Sequence, residues 1–319
     1  MAEDKIKVVV QRREEQGQGI LILDLALPDG GELPAFEAGA HVDLHLGEGL
    51  VRQYSLCGNP AARDVYRLGI LRDPRSRGGS LAAHDRLHAG TEVMISLPRN
   101  HFPLVPGAHH SILVGGGIGV TPMIAMAYAL QAEGASFELH YCGRSEAACA
   151  FLDELRAGDL GNRVHTHFDD GPATQRLDLP GLLTAAPAGT HVYVCGPAGF
   201  MDWVIGEAQQ QGFPSERVHK EYFQVATNAA GSAFDVVAKR SGKRVRVGEG
   251  ETIIDALATV GIKIKVSCEQ GICGTCLCGV LEGEPDHRDV FLTEDERADN
   301  DQILLCCSRA KSDVLVLDL

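Results

Sequence analysis

The sequence lacks any apolar run near the length that a bilayer requires, and it lacks an export signal. No stretch of its 319 residues approaches the roughly 18 consecutive apolar residues of a membrane-spanning helix. The first residues, MAEDKIKVVV, do not place a basic patch ahead of a long apolar segment. The sequence therefore predicts a soluble, cytoplasmic protein that is neither secreted nor bound to a membrane.

Basic residues are also scarce. The chain has 29 Lys and Arg against 43 Asp and Glu, for a formal net charge of −14. A nucleic-acid-binding protein needs a basic stripe to neutralise phosphates, so this composition excludes that class. The acidic excess is greatest between Glu282 and Asp301, where nine acidic residues stand against two arginines. Such a run is usually a solvated face, and docking of a basic redox partner is the alternative.

Cysteine, in contrast, is abundant. Ten cysteines in a chain without an export signal favour thiolate ligation over a disulfide framework. Three of them, Cys268, Cys273 and Cys276, form the run C-x4-C-x2-C, and Cys306 follows within LLCCSRA. This is the plant-type ligand spacing for a [2Fe–2S] cluster, which takes and passes one electron at a time.

Two features of the cluster loop bear on this assignment. Gly271 and Gly274 permit positive φ angles and a close approach of the backbone to the cluster. A zinc site is the alternative for a CxxC pair, but the triplet, its glycines and the distant cysteine together favour iron–sulfur. The fourth ligand is open between the adjacent Cys306 and Cys307, and the x-S-R-A sequence after Cys306 favours that residue.

The apolar pattern divides the chain into three segments and a linker. Residues 1–103 contain short apolar stretches broken by Gly, Pro and Asp, which predicts a small antiparallel β-barrel. Residues 104–225 alternate strands with helices, including a helix over residues 147–157, and this predicts a parallel sheet. Residues 226–232 are small and polar and fit a linker. Residues 233–319 contain a hairpin, a helix and the cluster loop, a pattern typical of an α+β domain.

A glycine-rich turn follows the first strand of the second segment. Its sequence, GGGIGVTP over residues 115–122, opens a helix and suits a pyrophosphate at a helix N-terminus. The dinucleotide fingerprint GxGxxG fails, however, and no acidic residue follows about 20 positions later. The alternative is a structural turn. A CGP motif at residues 195–197, at the end of a later strand, strengthens the nucleotide-binding interpretation.

Two motifs in the first segment favour a flavin. An arginine such as Arg52, in RQYSL, can clamp a phosphate bidentately. Gly78, Gly79 and Ser80, in RGGS, offer backbone N–H groups and a hydroxyl to a phosphate. Tyr54 offers a flat aromatic face to a flavin ring. Alone, RxYS is compatible with an edge strand and GGS with a turn; their combination favours the flavin.

With these motifs in one order, the chain resembles reductases of the ferredoxin–NADP reductase superfamily. More specifically, it resembles the phthalate dioxygenase reductase and vanillate demethylase reductase family over essentially its whole length. The resemblance implies a flavin-binding β-barrel over residues 1–103, an NAD-binding α/β domain over 104–225 and a plant-type ferredoxin domain with a β-grasp fold over 233–319. That family places the ferredoxin domain last, whereas reductases of diiron hydroxylases usually place it first.

The resemblance also implies cofactors and residue roles. The cofactors are FMN, NADH and the [2Fe–2S] cluster. The implied catalytic residues are Ser55 near flavin N5, Cys195 beside the nicotinamide and Phe223 over the flavin ring, with Tyr222 as the alternative to Phe223. The implied cofactor-binding residues are Arg52, Tyr54, Ser55, Arg72, Gly78, Gly79, Ser80, Gly117, Gly119, Thr121, Pro122, Arg144, Cys195, Gly196, Pro197 and Phe223. The predicted cluster ligands are Cys268, Cys273, Cys276 and Cys306.

We therefore expect the reductase component of a two-component Rieske-type oxygenase or O-demethylase of aromatic catabolism. Such a component passes electrons one at a time from NADH to the terminal oxygenase. A reductase of a diiron or cytochrome P450 oxygenase is one alternative; a non-enzymatic redox carrier or sensor is another, although it leaves the upstream motifs unexplained. FAD stays open against FMN. NADPH stays open against NADH, because Arg144 and Ser145 can receive a 2′-phosphate. Nothing in the sequence requires more than a monomer.

Overall fold

The computed structural model divides the chain into two units, unit 1 (Met1–Phe223) and unit 2 (Gln224–Leu319), which have separate buried cores. The structure describes residues 5–47, 49–74, 76–158, 160–224 and 228–319. Residues 226 and 227 of the predicted linker lie outside the described residues. The predicted boundary at residues 103 and 104 falls inside unit 1 and stays a prediction.

An antiparallel sheet forms the first part of unit 1. Its strands are β1 (Lys5–Gln16), β2 (Ile20–Ala26), β3 (Ala40–His45), β4 (Val51–Ser55), β5 (Tyr66–Leu71), β6 (Glu92–Ser96) and β7 (Arg99–Asn100). They are ordered β4-β3-β6-β1-β2-β5, with β7 beside β3. A bridge between Leu56 and Leu68 brings the two outer strands together, and β2 is buried throughout. The predicted antiparallel barrel is therefore confirmed, and it also carries a helix, α1 (Gly79–Arg86), that the apolar pattern did not indicate.

A parallel sheet forms the second part of unit 1. Its strands are β8 (His110–Gly116), β9 (Phe137–Gly143), β10 (Val164–Phe168), β11 (Thr190–Cys195) and β12 (Val218–Glu221). Its helices are α2 (Val120–Ala132), α3 (Leu152–Ala157), α4 (Leu179–Ala185) and α5 (Ala198–Gln210). Short 3₁₀ helices span Gly117–Gly119, Glu146–Ala148, Gly161–Arg163, Ala173–Gln175 and Ser215–Arg217. The strand order β10-β9-β8-β11-β12 reverses between β8 and β11, the position at which such sheets bind ligands.

The helix predicted over residues 147–157 is wrong in its first half. The structure has a 3₁₀ turn at Glu146–Ala148, and α3 begins only at Leu152. Phe151 adopts a left-handed φ of 64°, and its N–H donates to Gln16 Oε1 at 2.8 Å. Its ring packs against Gly69 of β5, where an added Cβ would lie 2.9 Å from the ring. Contacts with the barrel thus override the local helical pattern.

Unit 2 is an α+β domain. Its strands are β13 (Phe234–Ala238), β14 (Lys243–Val247), β15 (Leu277–Glu282), β16 (Pro285–Asp286), β17 (Gln302–Leu304), β18 (Arg309–Ala310) and β19 (Val314–Leu317). Its helices are α6 (Ile253–Thr259), capped by Thr252, and α7 (Glu294–Asp299). The main sheet is ordered β14-β13-β19-β15-β17, and β13 and β19 are parallel; β16 and β18 form a separate ribbon. In the described part of the chain, no helix is long and apolar enough to cross a membrane.

A histidine pair on the neighbouring strands β11 and β12 of the parallel sheet makes unit 1 sensitive to acid. His219 lies 2.8 Å from His191 through their ring nitrogens and stacks on Tyr193, with ring centroids 4.5 Å apart. Burial, followed by the charge of His191, lowers the pKa of His219 from 6.5 to about 4. Because the unfolded chain takes up this proton near pH 6.5, the folded state loses stability as the pH falls from about 6.5 to about 4.

We expect His219→Phe, which keeps an aromatic ring on Tyr193, to lose less stability over this pH range than the unmodified protein. Melting temperatures of unit 1 measured between pH 7 and pH 4.5 check this. His88→Phe, at an exposed barrel position, is the matched control and should follow the unmodified protein. Equal acid losses in the His219→Phe and unmodified proteins would contradict the prediction.

Candidate functional site

The two barrel motifs meet in the structure. A Cβ added to Gly79 would lie 2.4 Å from Arg52 Cγ, so the arginine of RxYS lies directly over the glycine of RGGS. The Arg52 guanidinium donates to the carbonyl oxygens of Val51, at 2.7 Å, and Arg77, at 2.9 Å. A side chain at position 79 would displace Arg52, which explains why glycine is needed there.

The RGGS motif forms the N-terminus of α1. Gly78 adopts a left-handed φ of 84° and precedes the helix, and no side chain caps the first turn. Ser80 is buried, and its Oγ lies 3.2 Å from the backbone nitrogen of Asp73. Uncapped N–H groups at a helix N-terminus beside an arginine are the donors that a phosphate requires. The residues present therefore fit a flavin phosphate.

The aromatic residues at the end of unit 1 pack on different sides. Phe223 and Tyr54 are both partly buried against the core that contains the barrel. Tyr222 packs instead against the core of the parallel sheet, together with Phe200. This arrangement favours Phe223 over Tyr222 as the residue that covers a flavin beside Tyr54.

A contact between the barrel and the parallel sheet brings three functional groups together. Ser55, the last residue of β4, donates from Oγ to Oε2 of Glu221 at 3.2 Å, and Glu221 ends β12. Burial raises the pKa of Glu221 to about 8, opposed by the hydrogen bond from Ser55. Cys195, at the end of β11, is fully buried, and burial followed by the charge of Glu221 raises its pKa well above the ordinary value. The thiol is therefore neutral and suited to packing against a ligand.

The glycine turn and the CGP motif meet where the strand order reverses. A Cβ added to Gly119 would lie 2.3 Å from the carbonyl oxygen of Cys195, and one added to Gly196 would lie 3.1 Å from Gly116 Cα. Gly117 adopts a left-handed φ of 56° ahead of α2. The two loops therefore touch through their backbones at the carboxyl ends of β8 and β11, the position at which parallel sheets bind ligands.

Five other predicted residues lie at the edges of this arrangement. Thr121 is buried at the start of α2 and contacts Gly69 of the barrel, and Pro122 follows it in the same turn. Pro197 precedes α5 and is exposed. Arg144 is exposed just beyond β9. Arg72 pairs with Asp85 of α1 at 3.3 Å, which places its guanidinium beside the helix that carries the RGGS motif at its N-terminus.

The cluster loop directs backbone N–H groups at its sulfurs. Cys268 Sγ accepts from the N–H groups of Gln270 and Ile272, both at 3.4 Å. Hydrogen bonding with Cys273, with Cys306 and with these amides lowers the pKa of Cys268. A sulfur that accepts several N–H groups is stabilised as a thiolate, the form that binds iron.

Glycine conformations allow the loop to fold this tightly. Gly271 and Gly274 have φ angles of 73° and 70°, as the sequence predicted. A Cβ on Gly271 would lie 2.5 Å from Cys307 Sγ, and one on Gly274 would lie 2.4 Å from the Phe291 ring. Both positions therefore exclude a side chain for steric as well as conformational reasons.

The contacts of the adjacent cysteines distinguish Cys306 from Cys307. Cys306 Sγ accepts the N–H of Gly271 at 3.2 Å and interacts with the sulfurs of Cys268 and Cys276. Cys307 Sγ lies 4.0 Å from the Leu304 carbonyl oxygen. This arrangement favours Cys306 as the fourth ligand. Among the described residues, no three His, Cys, Asp or Glu side chains are placed to hold a single metal ion; a [2Fe–2S] cluster instead divides its four thiolates between two irons.

Comparison with known proteins is consistent with this geometry. Residues 113–205 match the oxidoreductase NAD-binding domain family, and residues 236–311 match the 2Fe-2S iron-sulfur cluster binding domain family. The chain is 49% identical over 316 residues to vanillate O-demethylase oxidoreductase of Pseudomonas sp. strain HR199, covering 98% of this chain and 100% of that one. The chain belongs to the family of oxygenase reductase components.

Two solved structures extend the comparison. Phthalate dioxygenase reductase, described as a modular structure for electron transfer from pyridine nucleotides to [2Fe-2S], matches with a TM-score of 0.77 and 38% identity, over 99% of this chain and 98% of that one. An intact type IV self-sufficient cytochrome P450 monooxygenase matches with a TM-score of 0.85 and 40% identity, over 99% of this chain but only 41% of that longer one. The match to phthalate dioxygenase reductase therefore covers both units of the chain. The chain is an oxidoreductase with an NAD-binding domain and a 2Fe-2S domain.

Sequence reasoning missed one residue of this oxygenase reductase site. The sequence motifs assign no role to Glu221, yet it is the hydrogen-bond partner of Ser55. A single acidic residue at the end of a predicted strand was the available signal. Its significance depends on burial against a strand 166 positions away, which no local pattern contains.

Proposed function

We propose that this chain takes electrons from NADH, holds FMN in its barrel and delivers electrons singly from its [2Fe–2S] cluster to a terminal oxygenase of the Rieske type. The contact of Ser55 with Glu221 carries the proposal, because it brings the barrel strand β4 to the ligand-binding edge of the NAD-binding sheet. The cluster loop of unit 2 supplies the one-electron exit.

The barrel residues would bind the flavin. Arg52 and the N–H groups of Gly78, Gly79 and Ser80 would hold the FMN phosphate, and Tyr54 would lie along the ring. Bound FMN supplies the exchange between the two-electron chemistry of NADH and the one-electron chemistry of the cluster. FMN is preferred over FAD because the phosphate donors at α1 suit a terminal phosphate.

The residues at the strand ends would orient the nicotinamide. Gly117 leaves the backbone open to the dinucleotide, and Gly119 lets the turn approach the backbone of Cys195 closely. Cys195 with Gly196 would form the wall beside the dinucleotide. Ser55 would place its hydroxyl at the flavin edge, and Phe223 would shield the ring until nicotinamide replaces it. These groups hold the reactants in position, which is the main contribution a protein makes to such a transfer.

The remaining assignments extend to the edges of the site. Arg144 and Pro197 would contact the dinucleotide beyond the strand ends. Arg72 would support α1, the helix that holds the flavin phosphate. Thr121 with Pro122 would lie between the flavin and the nucleotide. Cys268, Cys273, Cys276 and Cys306 would ligate the cluster. The domain boundaries that we propose are residues 1–103, 104–225 and 233–319, with the linker at 226–232.

The partner and compartment follow from the relatives and the composition. A Rieske-type aromatic oxygenase or O-demethylase is proposed because the relative with 49% identity is named for vanillate O-demethylation. A cytochrome P450 is the second candidate, favoured by the TM-score of 0.85. We propose a cytoplasmic location, since ten cysteines without a disulfide suit a reducing compartment, and a monomer, since nothing in the sequence requires more.

The purified protein is expected to turn over NADH with cytochrome c as acceptor and to release FMN, identified by mass, on denaturation. Supplying a Rieske-type oxygenase and, separately, a P450 with their substrates distinguishes the two partner classes through product formation. A kcat/KM for NADPH comparable to that for NADH would contradict the coenzyme assignment. Absence of any NADH-dependent turnover would contradict the proposed enzyme and favour the alternative of a non-enzymatic redox carrier or sensor.

A further inference from the structure

Two arginines of unit 2 hold the described end of the predicted linker. Arg309 is 2% exposed, although arginine is seldom fully buried unless it is paired. Its guanidinium donates to the carbonyl oxygens of Gly231 at 3.3 Å and Ser232 at 3.0 Å, and to those of Gly248 and Glu251. It also lies 5.1 Å from the centre of the Phe234 ring. Its donors therefore bind the linker to the turn between β14 and α6.

Arg288 holds the preceding residues. Its Nη1 donates to the carbonyl oxygens of Asn228, at 2.5 Å, and Ala230, at 2.7 Å. Its Nε and Nη2 donate to Asp286 at 2.8 and 2.6 Å, which fixes the guanidinium plane. All the carbonyl contacts of both arginines with residues 228–232 are charge-assisted hydrogen bonds.

The two arginine side chains occupy the space that a side chain at Gly231 would need. Its φ of 154° disfavours an L side chain, and an added Cβ would lie 2.9 Å from Arg309 Nε and 3.2 Å from Arg288 Nη2. A side chain at this position would therefore push the linker away from both guanidinium groups. The arginines and the glycine together form what we name the linker clamp: Gly231, Arg288 and Arg309.

The clamp is built into the frame that carries the cluster. Arg309 lies in β18, three residues after Cys306, and pairs with Asp286 of β16. Asp289, next to Arg288, is buried and accepts hydrogen bonds from the N–H groups of Phe291 and Leu292. Asp289 also packs against Gly271 of the cluster loop. The end of the linker is thus fixed relative to the predicted ligands.

We propose that the linker clamp sets the length of the tether between the flavin-binding and cluster-binding units, and so the rate at which the cluster receives electrons. With residues 228–232 held on unit 2, only positions 224–227 connect the units; without the clamp, positions 224–232 do. The three clamp residues are positioning residues. This inference rests on the proposed function.

Releasing the clamp lengthens the connection from four residues to nine, and effective concentration falls roughly as the −3/2 power of tether length, or about threefold here. We expect Gly231→Ala and Arg288→Gln each to slow cluster reduction by up to about threefold in anaerobic stopped-flow with NADH. The preceding flavin-reduction phase should be unchanged. Arg309→Gln is not required, because the other two variants test the same clamp.

An insertion provides a second test. Five Gly/Ser residues placed between positions 227 and 228 lengthen the tether without touching the clamp, and should also slow cluster reduction about threefold. In Gly231→Ala the same insertion extends the tether from nine residues to fourteen, so it should slow cluster reduction by only about a further twofold. Arg240→Gln, which removes an exposed arginine paired with Asp318 elsewhere in unit 2, is the control and should match the unmodified protein.

Three results would overturn the inference. The first is an unchanged rate of cluster reduction in clamp variants that keep full flavin and cluster content. The second is a shifted cluster reduction potential in those variants. The third is a slowing in Gly231→Ala with the insertion that equals the product of the slowing by the substitution and the slowing by the insertion. A nonspecific protease gives a readout independent of electron transfer: residues 228–232 should resist cleavage in the unmodified protein and not in Gly231→Ala. Failure of NADH to reduce the flavin of the unmodified protein would instead contradict the proposed function.

Discussion

Replacement of Cys273 by serine is expected to remove the visible absorption of the iron–sulfur cluster and to leave flavin reduction by NADH intact. Cys273 lies in the cluster loop of unit 2, whereas Ser55, Cys195 and Phe223 all lie in unit 1. Loss of a ligand should lower delivery of electrons to a one-electron protein acceptor by about 100-fold or more, since changes in the outer shell of a metal site alone cost 10–100-fold. Stopped-flow spectroscopy follows the flavin and cluster separately.

The neighbouring cysteines supply matched controls. Cys306→Ser should lose the cluster as Cys273→Ser does, because Cys306 interacts with two other predicted ligands. Cys307→Ser and Cys278→Ser remove buried thiols from the same region and should keep the cluster. Loss of the cluster in Cys307→Ser together with its retention in Cys306→Ser would reverse the ligand assignment. Loss of flavin reduction in Cys273→Ser would contradict the modular arrangement of the two units.

Features that depend on short stretches of sequence were predictable. The ligand spacing and the need for positive φ at Gly271 and Gly274 each involve a few neighbouring residues, and the structure has the predicted glycine conformations. The alternation of strands and helices likewise predicted the parallel sheet of unit 1. The loop features depend on contacts within one loop, and the parallel sheet follows from the order in which strands and helices alternate along the chain.

Features that depend on distant contacts were not predictable. Phe151 interrupts a helical pattern because its ring and N–H find partners in the barrel. Glu221 gains its raised pKa from burial beside a strand that is far away in sequence. Arg309 follows the cluster cysteine in a short motif, but its carbonyl partners belong to the linker and to the turn between β14 and α6. Packing between elements, which one sequence does not display, decides all three.

Ser55→Ala is expected to slow flavin reduction by NADH about 100-fold, at the lower end of the effect of a positioned proton donor or acceptor. The substitution removes the hydroxyl at the proposed flavin edge and leaves the Glu221 carboxyl without its partner. Flavin content, cluster absorption and the later cluster-reduction step should stay normal. Ser96→Ala, which removes another buried barrel hydroxyl, is the control for a general loss of packing and should keep the normal rate.

The pH dependence of the same step identifies the role of Glu221. Below its pKa of about 8 the carboxyl is neutral and can donate to Ser55, and above it the carboxylate accepts the Ser55 proton and adds negative charge beside the site. Since hydride arrives with negative charge, the rate of flavin reduction should fall as the pH rises through about 8. Glu221→Gln keeps a donor at this position and cannot ionise, so its rate should be independent of pH over the same range. A fall that persists unchanged in Glu221→Gln would assign the titration to another group.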